Sequence, residues 1–223
     1  MEPGFITYQK FDDPALADAL AETLKENNIE HVIKEESSGF DPSFSMSRAA
    51  VDYAVKVHPD NFERINALLL KQEEKYTETV DKDYYLFTFT DDELMEVVTK
   101  ADEWSAFDVV LARKLLTERG KSISDKDIVE IEEKRIEELK QPEKSQTAWI
   151  AFGYIAALSG VSLVPYLSFA GIFIGWYLSH GKKTLPDGKR IHIYTESDQR
   201  QGNIIFWLGI VVFGVAFWYF VLR

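Results

Sequence analysis

The sequence predicts an α+β head, a helical linker and a membrane-embedded tail, and three observations carry that prediction. Residues 1–90 switch repeatedly between apolar patterns of period two and period four, residues 91–145 hold only helical patterns, and residues 146–223 hold two long runs without a charge. Charge divides the chain at the same place. Residues 1–145 contain 34 Asp and Glu against 19 Lys and Arg, a balance of −15, whereas residues 146–223 contain 3 against 6, a balance of +3. A field of −15 repels phosphate backbones, so nucleic acid is not expected as a partner of the head. The chain has no cysteine, which excludes disulfides, thiolate catalysis and zinc–cysteine sites. The first residues, MEPGFITYQKFDD, lack the basic and apolar regions of a signal peptide, so the acidic half is expected to stay in the cytoplasm.

Within the head, residues 5–11 (FITYQKF) are rich in aromatic and β-branched side chains and read as a strand. Asp13 and Pro14 then supply an N-cap and a first-turn proline, and Leu16, Leu20 and Leu24 form one stripe of a helix that ends at Asn27-Asn28. Residues 29–36 (IEHVIKEE) read as a second strand. In residues 51–57 (VDYAVKV), Val51, Tyr53, Val55 and Val57 alternate with Asp52, Ala54 and Lys56, a third strand.

That alternation decides how His58-Pro59-Asp60 is read. A chaperone-recruiting loop of the J-domain kind would follow a basic helix, whereas here the tripeptide is a turn out of a strand. Asp60 and Glu63 have capping-box spacing for a helix whose apolar face is Phe62, Ile65, Leu68 and Leu69. Residues 83–89 (DYYLFTF) complete the series as a fourth strand. The order is a ferredoxin-like βαββαβ domain over residues 1–90, an antiparallel sheet backed by two helices.

The residues FITYQKF, DPALADALAETLKENNIEHVI and YAVKVHPDNFERINALL, spread over about 5–75, resemble a small bacterial family of prokaryotic signal-transducing proteins. The resemblance implies a PII-like, ferredoxin-type fold and a signalling role. It supplies no ligand and no catalytic residue.

Residues 91–145 read as three helices serving as a linker or stalk. Thr90 with Glu93, Ser105 with Asp108 and Ser124 with Asp127 each have capping-box spacing. Trp104, Phe107, Leu111 and Leu115 make an apolar face that ends at Arg119-Gly120. The last helix, rich in alternating charges, reads as a solvated stalk. Asp91-Asp92-Glu93 suits the first turn of a helix better than a general acid and base.

The tail holds uncharged runs over 148–178 and 204–222. The second has the length of one span. The first is too long for an upright one, and Ser159-Gly160-Val161-Ser162 with Pro165 marks a turn near its middle, so a helical hairpin plus one span is expected. The intervening loop carries Lys182, Lys183, Lys189, Arg190 and Arg200. Short basic loops stay cytoplasmic, and a hairpin keeps this one on the side of the head. The chain is therefore expected in the bacterial inner membrane, multi-pass, with the lipid bilayer as its first partner. Legs of this length are either re-entrant or require a thinned bilayer. Gly171 and Gly175 have the GxxxG spacing of close helix approach, toward the other hairpin leg or another protein. Pro186-Asp187-Gly188 reads as a turn whose flanks can pair as a small hairpin.

The four histidines show no metal-ligand spacing, and no phosphate-binding loop or nucleophile motif occurs, so neither catalysis nor a cofactor is expected. Phe40, Phe44 and Met46 stand in a loop otherwise built for exposure. They either tuck onto the sheet or form a partner or ligand loop. Two functions fit: a membrane-anchored, non-enzymatic binding or regulatory module that meets a protein partner or forms a homo-oligomer, and an accessory or assembly subunit of a larger membrane complex. The small-molecule ligand, if any, is not readable.

Overall fold

A computed structural model describes residues 4–37, 51–159 and 167–221. It divides into two units: Met1–Ile136 with Pro186–Lys189, and Glu137–Leu185 with Arg190–Arg223. Phe40, Phe44 and Met46 lie outside the described residues, as do most of the residues expected to turn between the two hairpin legs.

The first unit begins with β1 (Ile6–Phe11), α1 (Pro14–Glu26), β2 (His31–Ser37), β3 (Val51–Val57) and α2 (Phe62–Glu73). The three strands form one antiparallel sheet in the order β1-β3-β2. Helix α1 starts where the Asp13 carboxylate accepts from Ala15 N at 2.9 Å, with proline at its first position, where no amide is needed. It ends at Asn28, whose φ of 53° is tolerated by asparagine, and Ile29 N closes the turn onto Leu24 O at 2.9 Å.

Alternation on β3 sends Val55 and Val57 against α1 and α2, where Ala17, Leu20, Leu24, Phe62 and Ile65 are buried with them. The opposite face is polar: Glu36 accepts from both Lys10 at 2.7 Å and Lys56, and the two ammonium groups hold its carboxyl below the usual range. Two expectations need correction here. Leu16 is 53 % exposed, because the buried stripe runs through Ala17, Leu20, Ala21 and Leu24 instead. Asp60 makes no capping bond, because Pro59–Asn61 forms a 3₁₀ turn that delays α2 to Phe62; Asp60 instead faces His58 Nδ1 at 3.2 Å.

The fourth strand expected over 83–89 is absent, so the βαββαβ arrangement is not formed. Tyr85–Thr88 is a 3₁₀ turn, closed by Thr88 Oγ1 donating to Tyr85 O at 2.7 Å. The physical reason is tertiary: the apolar side chains of this run are taken up by the helical core and not by the sheet. Leu86 is fully buried, and Tyr84, Phe87 and Phe89 pack around the same helical core. Composition alone could not separate that from a strand.

The helical core is built by α3 (Asp91–Thr99), α4 (Ala106–Glu118) and, along one flank, α5 (Asp125–Lys140). The Thr90–Glu93 capping box is complete, with Thr90 N donating to Glu93 Oε2 at 2.7 Å and Glu93 N to Thr90 Oγ1 at 3.3 Å. Ser124 and Asp127 repeat it at the head of α5. Leu94, Val97, Val98, Val109, Leu111, Ala112, Leu115 and Leu116 are buried together with Leu86 across the position 90 boundary. Helix α2 joins the two cores, since Leu68 and Leu69 pack on the sheet cluster and Leu70 on the helical one. Helix α5 buries no residue fully, yet Ile131 packs against the helical core and Arg135 grips Asp102 through Nε at 2.8 Å and a second nitrogen at 2.9 Å.

Asp108 is a buried carboxylate of this unit. It accepts from Tyr84 Oη and Ser105 Oγ, both at 2.6 Å, while its own amide donates to Ser105 Oγ at 3.1 Å. Burial pushes its carboxyl upward, but the bonds from Ser105, Tyr84 and Tyr85 together outweigh that and hold it below the usual Asp value. A group depressed in the folded state stabilises fully above its unfolded pKa, and the contribution is lost as pH falls through the folded value. Asp108→Ala is expected to cost about 1–3 kcal/mol by leaving the Tyr84 hydroxyl unpaired and removing the carboxylate that orients the Ser105 cap of α4. Hydrogen exchange of α4 amides in the full chain should quicken at neutral pH, and the gap between parent and variant should close only at pH below the ordinary Asp range.

Candidate functional site

The second unit holds α6 (Thr147–Ser159), α7 (Leu167–His180), a two-stranded hairpin of β4 (Lys182–Thr184) and β5 (Arg190–His192), and α8 (Glu196–Val221). The three helices pack on one another along their small residues. A Cβ built on Gly171 falls 2.5 Å from Ala157 N, and one built on Gly175 falls 2.6 Å from Gly202 O and against the amide of Phe206. One built on Gly202 falls 2.7 Å from the Leu178 side chain. The GxxxG pair therefore seats two neighbours of the same chain, α6 at Gly171 and α8 at Gly175. Buried Ser168 reinforces the first contact by donating to Ala157 O at 3.4 Å.

What is inside this bundle is small: Gly153, Ala156, Ala157, Ser168, Gly171 and Gly175 are buried, with Leu178 and Ile205 filling the remaining space. What is outside is large: Trp149, Phe152, Ile155 and Leu158 on α6, Phe169, Phe173 and Trp176 on α7, Trp207, Val211, Val215 and Trp218 on α8. A water-soluble bundle would place its aromatic side chains inward, because burying them is its main source of stability. Hydrocarbon is as apolar as the side chains, so in lipid close packing of small residues and interhelical hydrogen bonds hold helices together. An open apolar groove of about 420 Å³ runs along α8 past Asn203, Ile204, Trp207, Leu208 and Val211.

The charged groups among the unit's described residues gather at one end. No Asp, Glu, Lys, Arg or His occurs over 148–178 or 201–221. At that end the buried Asp198 carboxylate accepts from Ser145 Oγ at 2.9 Å and Gln146 N at 3.2 Å, capping α6, while its own amide donates to Thr195 Oγ1 at 3.2 Å at the start of α8. One acid thus serves two helix N-termini, where the helix dipole favours negative charge. Just inside, Tyr154 Oη donates to Gln201 Oε1 at 2.6 Å.

The Pro-Asp-Gly turn and the flanking pairs form as the sequence suggests. Lys182 pairs with His192, Lys183 with Ile191 and Thr184 with Arg190. Gly188 takes the left-handed φ of 81° that the turn requires, and Asp187 Oδ1 accepts from Lys189 N at 3.0 Å. The hairpin is fixed to the bundle's polar end by Lys183 Nζ donating to Gln141 O at 3.1 Å and Glu143 N to Ile193 O at 2.9 Å.

The five basic residues singled out from sequence therefore differ. Lys183 is spent on a carbonyl, Lys189 faces Asp187 at 2.9 Å, and Arg200 faces Glu196 at 3.6 Å one turn away. Lys182 and Arg190 meet no carboxylate among the described residues. Sequence reasoning missed Asp198, whose partners lie more than fifty residues away, and Gly202, whose spacing to Gly209 was the available signal. Among the described residues no three His, Asp or Glu converge as metal ligands do. No protein-family model matches the chain, and comparison with curated proteins and with solved structures finds no significant match.

The packing predicts an asymmetric response to adding one methyl group. Gly171→Ala and Gly175→Ala are expected to force helices apart and to cost about 1–3 kcal/mol each. Gly214→Ala, where a Cβ meets nothing within 4 Å, is expected to be neutral or slightly stabilising. Thermal unfolding of the full chain in mild detergent ranks the three variants.

Proposed function

We propose that this chain is a non-catalytic binding or regulatory protein held in the bacterial inner membrane by residues 146–223, with its acidic head in the cytoplasm. The observation that carries the reading is the inverted packing of the second unit, small residues inside and aromatic residues outside, with the charges of its described residues at one end. Among the described residues one helix, Glu196–Tyr219, is long and apolar enough to cross a membrane. At 1.5 Å per residue α8 extends roughly 39 Å, more than the ~30 Å hydrocarbon core. Helices α6 and α7 extend only about 20 and 21 Å over their described residues, which suits a hairpin that enters and returns on the side it came from.

Orientation follows from charge. Lys182, Lys183, Lys189 and Arg190 face only Asp187 within the hairpin sequence, and short basic loops are retained in the cytoplasm. The head then lies on the same side, and the end of α8 lies outside. The regulatory part of the reading draws on the resemblance of residues 5–75 to a signal-transducing family. The fully hydrogen-bonded setting of Asp108 also favours a structural over a catalytic use of that buried acid.

Because the chain has no cysteine, single cysteines report topology without background. A membrane-impermeant maleimide applied to intact spheroplasts is expected to label Arg223→Cys, and to label Glu30→Cys only after permeabilisation. Labelling of Glu30→Cys from outside would overturn the orientation. Recovery of the unmodified chain in the supernatant of a detergent-free lysate would overturn the membrane reading itself.

A further inference from the structure

We infer that the β4–β5 hairpin is a binding face for the phosphate of anionic phospholipids, with Lys182 and Arg190 as its contacts. This rests on the membrane reading above and names the lipid class that the polar end of the bundle would take.

Antiparallel register places paired residues on the same face, so Lys182, His192, Thr184 and Arg190 share one face and Lys183 and Ile191 the other. All four residues of the first face are exposed. Lys182 stands diagonally across from Arg190, a separation on the order of 7–8 Å that lets both side chains reach one phosphodiester. Neither cation meets a carboxylate among the described residues, whereas Lys189 and Arg200 each do. Two unneutralised cations side by side on a rigid hairpin favour an anion from outside the chain.

The level of the hairpin argues for a lipid. It follows α7 after a single residue, at the helix end where the Trp176 and His180 rings stack at 5.9 Å, and it is bonded to Gln141 and Glu143 beside the Asp198 cap. That is the polar margin of an otherwise apolar bundle, the depth at which headgroups lie. Each basic residue near an anionic surface contributes on the order of fivefold in binding.

The test is electron spin resonance of the full chain reconstituted in phosphatidylcholine vesicles carrying trace spin-labelled phosphatidylglycerol or spin-labelled phosphatidylcholine. Parent protein is expected to immobilise the glycerol lipid more than the choline lipid by about fivefold if one contact counts in full and up to about twenty-fivefold if both do, and high salt should collapse the difference. K182Q/R190Q should bring the ratio to within about twofold of unity, while K189Q/R200Q, which removes the same number of charges from paired sites, should leave it in place. No selectivity in the parent, selectivity retained in K182Q/R190Q, or equal loss in K189Q/R200Q would each overturn the inference. Failure of the parent to float with the vesicles would overturn the membrane reading as well, whereas insertion without selectivity would overturn this site alone.

Discussion

The second unit depends on backbone-to-backbone contact among three helices. Gly171 against Ala157, and Gly175 against Gly202 and Phe206, bring main chains closer than any larger side chain would permit. That choice leaves no room inside for the tryptophans and phenylalanines, which therefore cover the outside. In water such a surface would associate or precipitate, since contiguous apolar patches of this size are not left exposed by soluble monomers. In hydrocarbon it costs nothing, and the small-residue seams supply the dispersion contacts that hold the helices together. Charge is placed in keeping with that packing: no acid or base occurs over 148–178 or 201–221, and Asp198, Lys182, Arg190 and Arg200 collect at one end.

The first unit obeys the opposite rule. Its large apolar side chains are inside, in a sheet cluster around Val55, Val57 and Leu24 and a helical cluster around Leu86, Leu94 and Leu116, and α2 contributes to both. Its polar interior is small: Asp108 accepts from two hydroxyl donors, while Arg113 Nε is buried without a hydrogen-bond partner among the described residues. The excess of carboxylates on this unit repels an anionic bilayer. The net-positive segment between α7 and α8 has the opposite preference, so one chain carries an attractive and a repulsive term toward the same surface.

Local signals were legible in the sequence wherever the partner lay within a few residues. Asp13, Thr90 with Glu93, and Ser124 with Asp127 cap the helices they were expected to cap, and the Pro186-Asp187-Gly188 turn closes a hairpin. Legibility failed where tertiary packing chose between local options. Residues 83–89 have strand composition, yet burial of Leu86 among α3 and α4 turns them into a 3₁₀ segment and leaves the sheet at three strands. Asp60 has the spacing of a cap, but the turn from Pro59 moves the helix start past it. The GxxxG pair was readable as a close approach, whereas its two different partners were not, because α6 and α8 reach it from distant parts of the chain. Asp198 was unreadable for the same reason, its bonds to Ser145 and Gln146 spanning more than fifty residues.

Lipid contact along the outer faces of α6, α7 and α8 is the central claim, and tryptophan emission tests it most directly. Four of the five tryptophans, Trp149, Trp176, Trp207 and Trp218, are 56 %, 48 %, 58 % and 67 % exposed on those faces, while Trp104 is partly buried in the first unit. In vesicles of phosphatidylcholine brominated along its acyl chains, the account predicts loss of most of the emission seen in unbrominated vesicles, with Trp104 supplying the remainder. Emission unchanged by bromination would contradict it, because the aromatic faces would then be covered by protein or water and not by lipid.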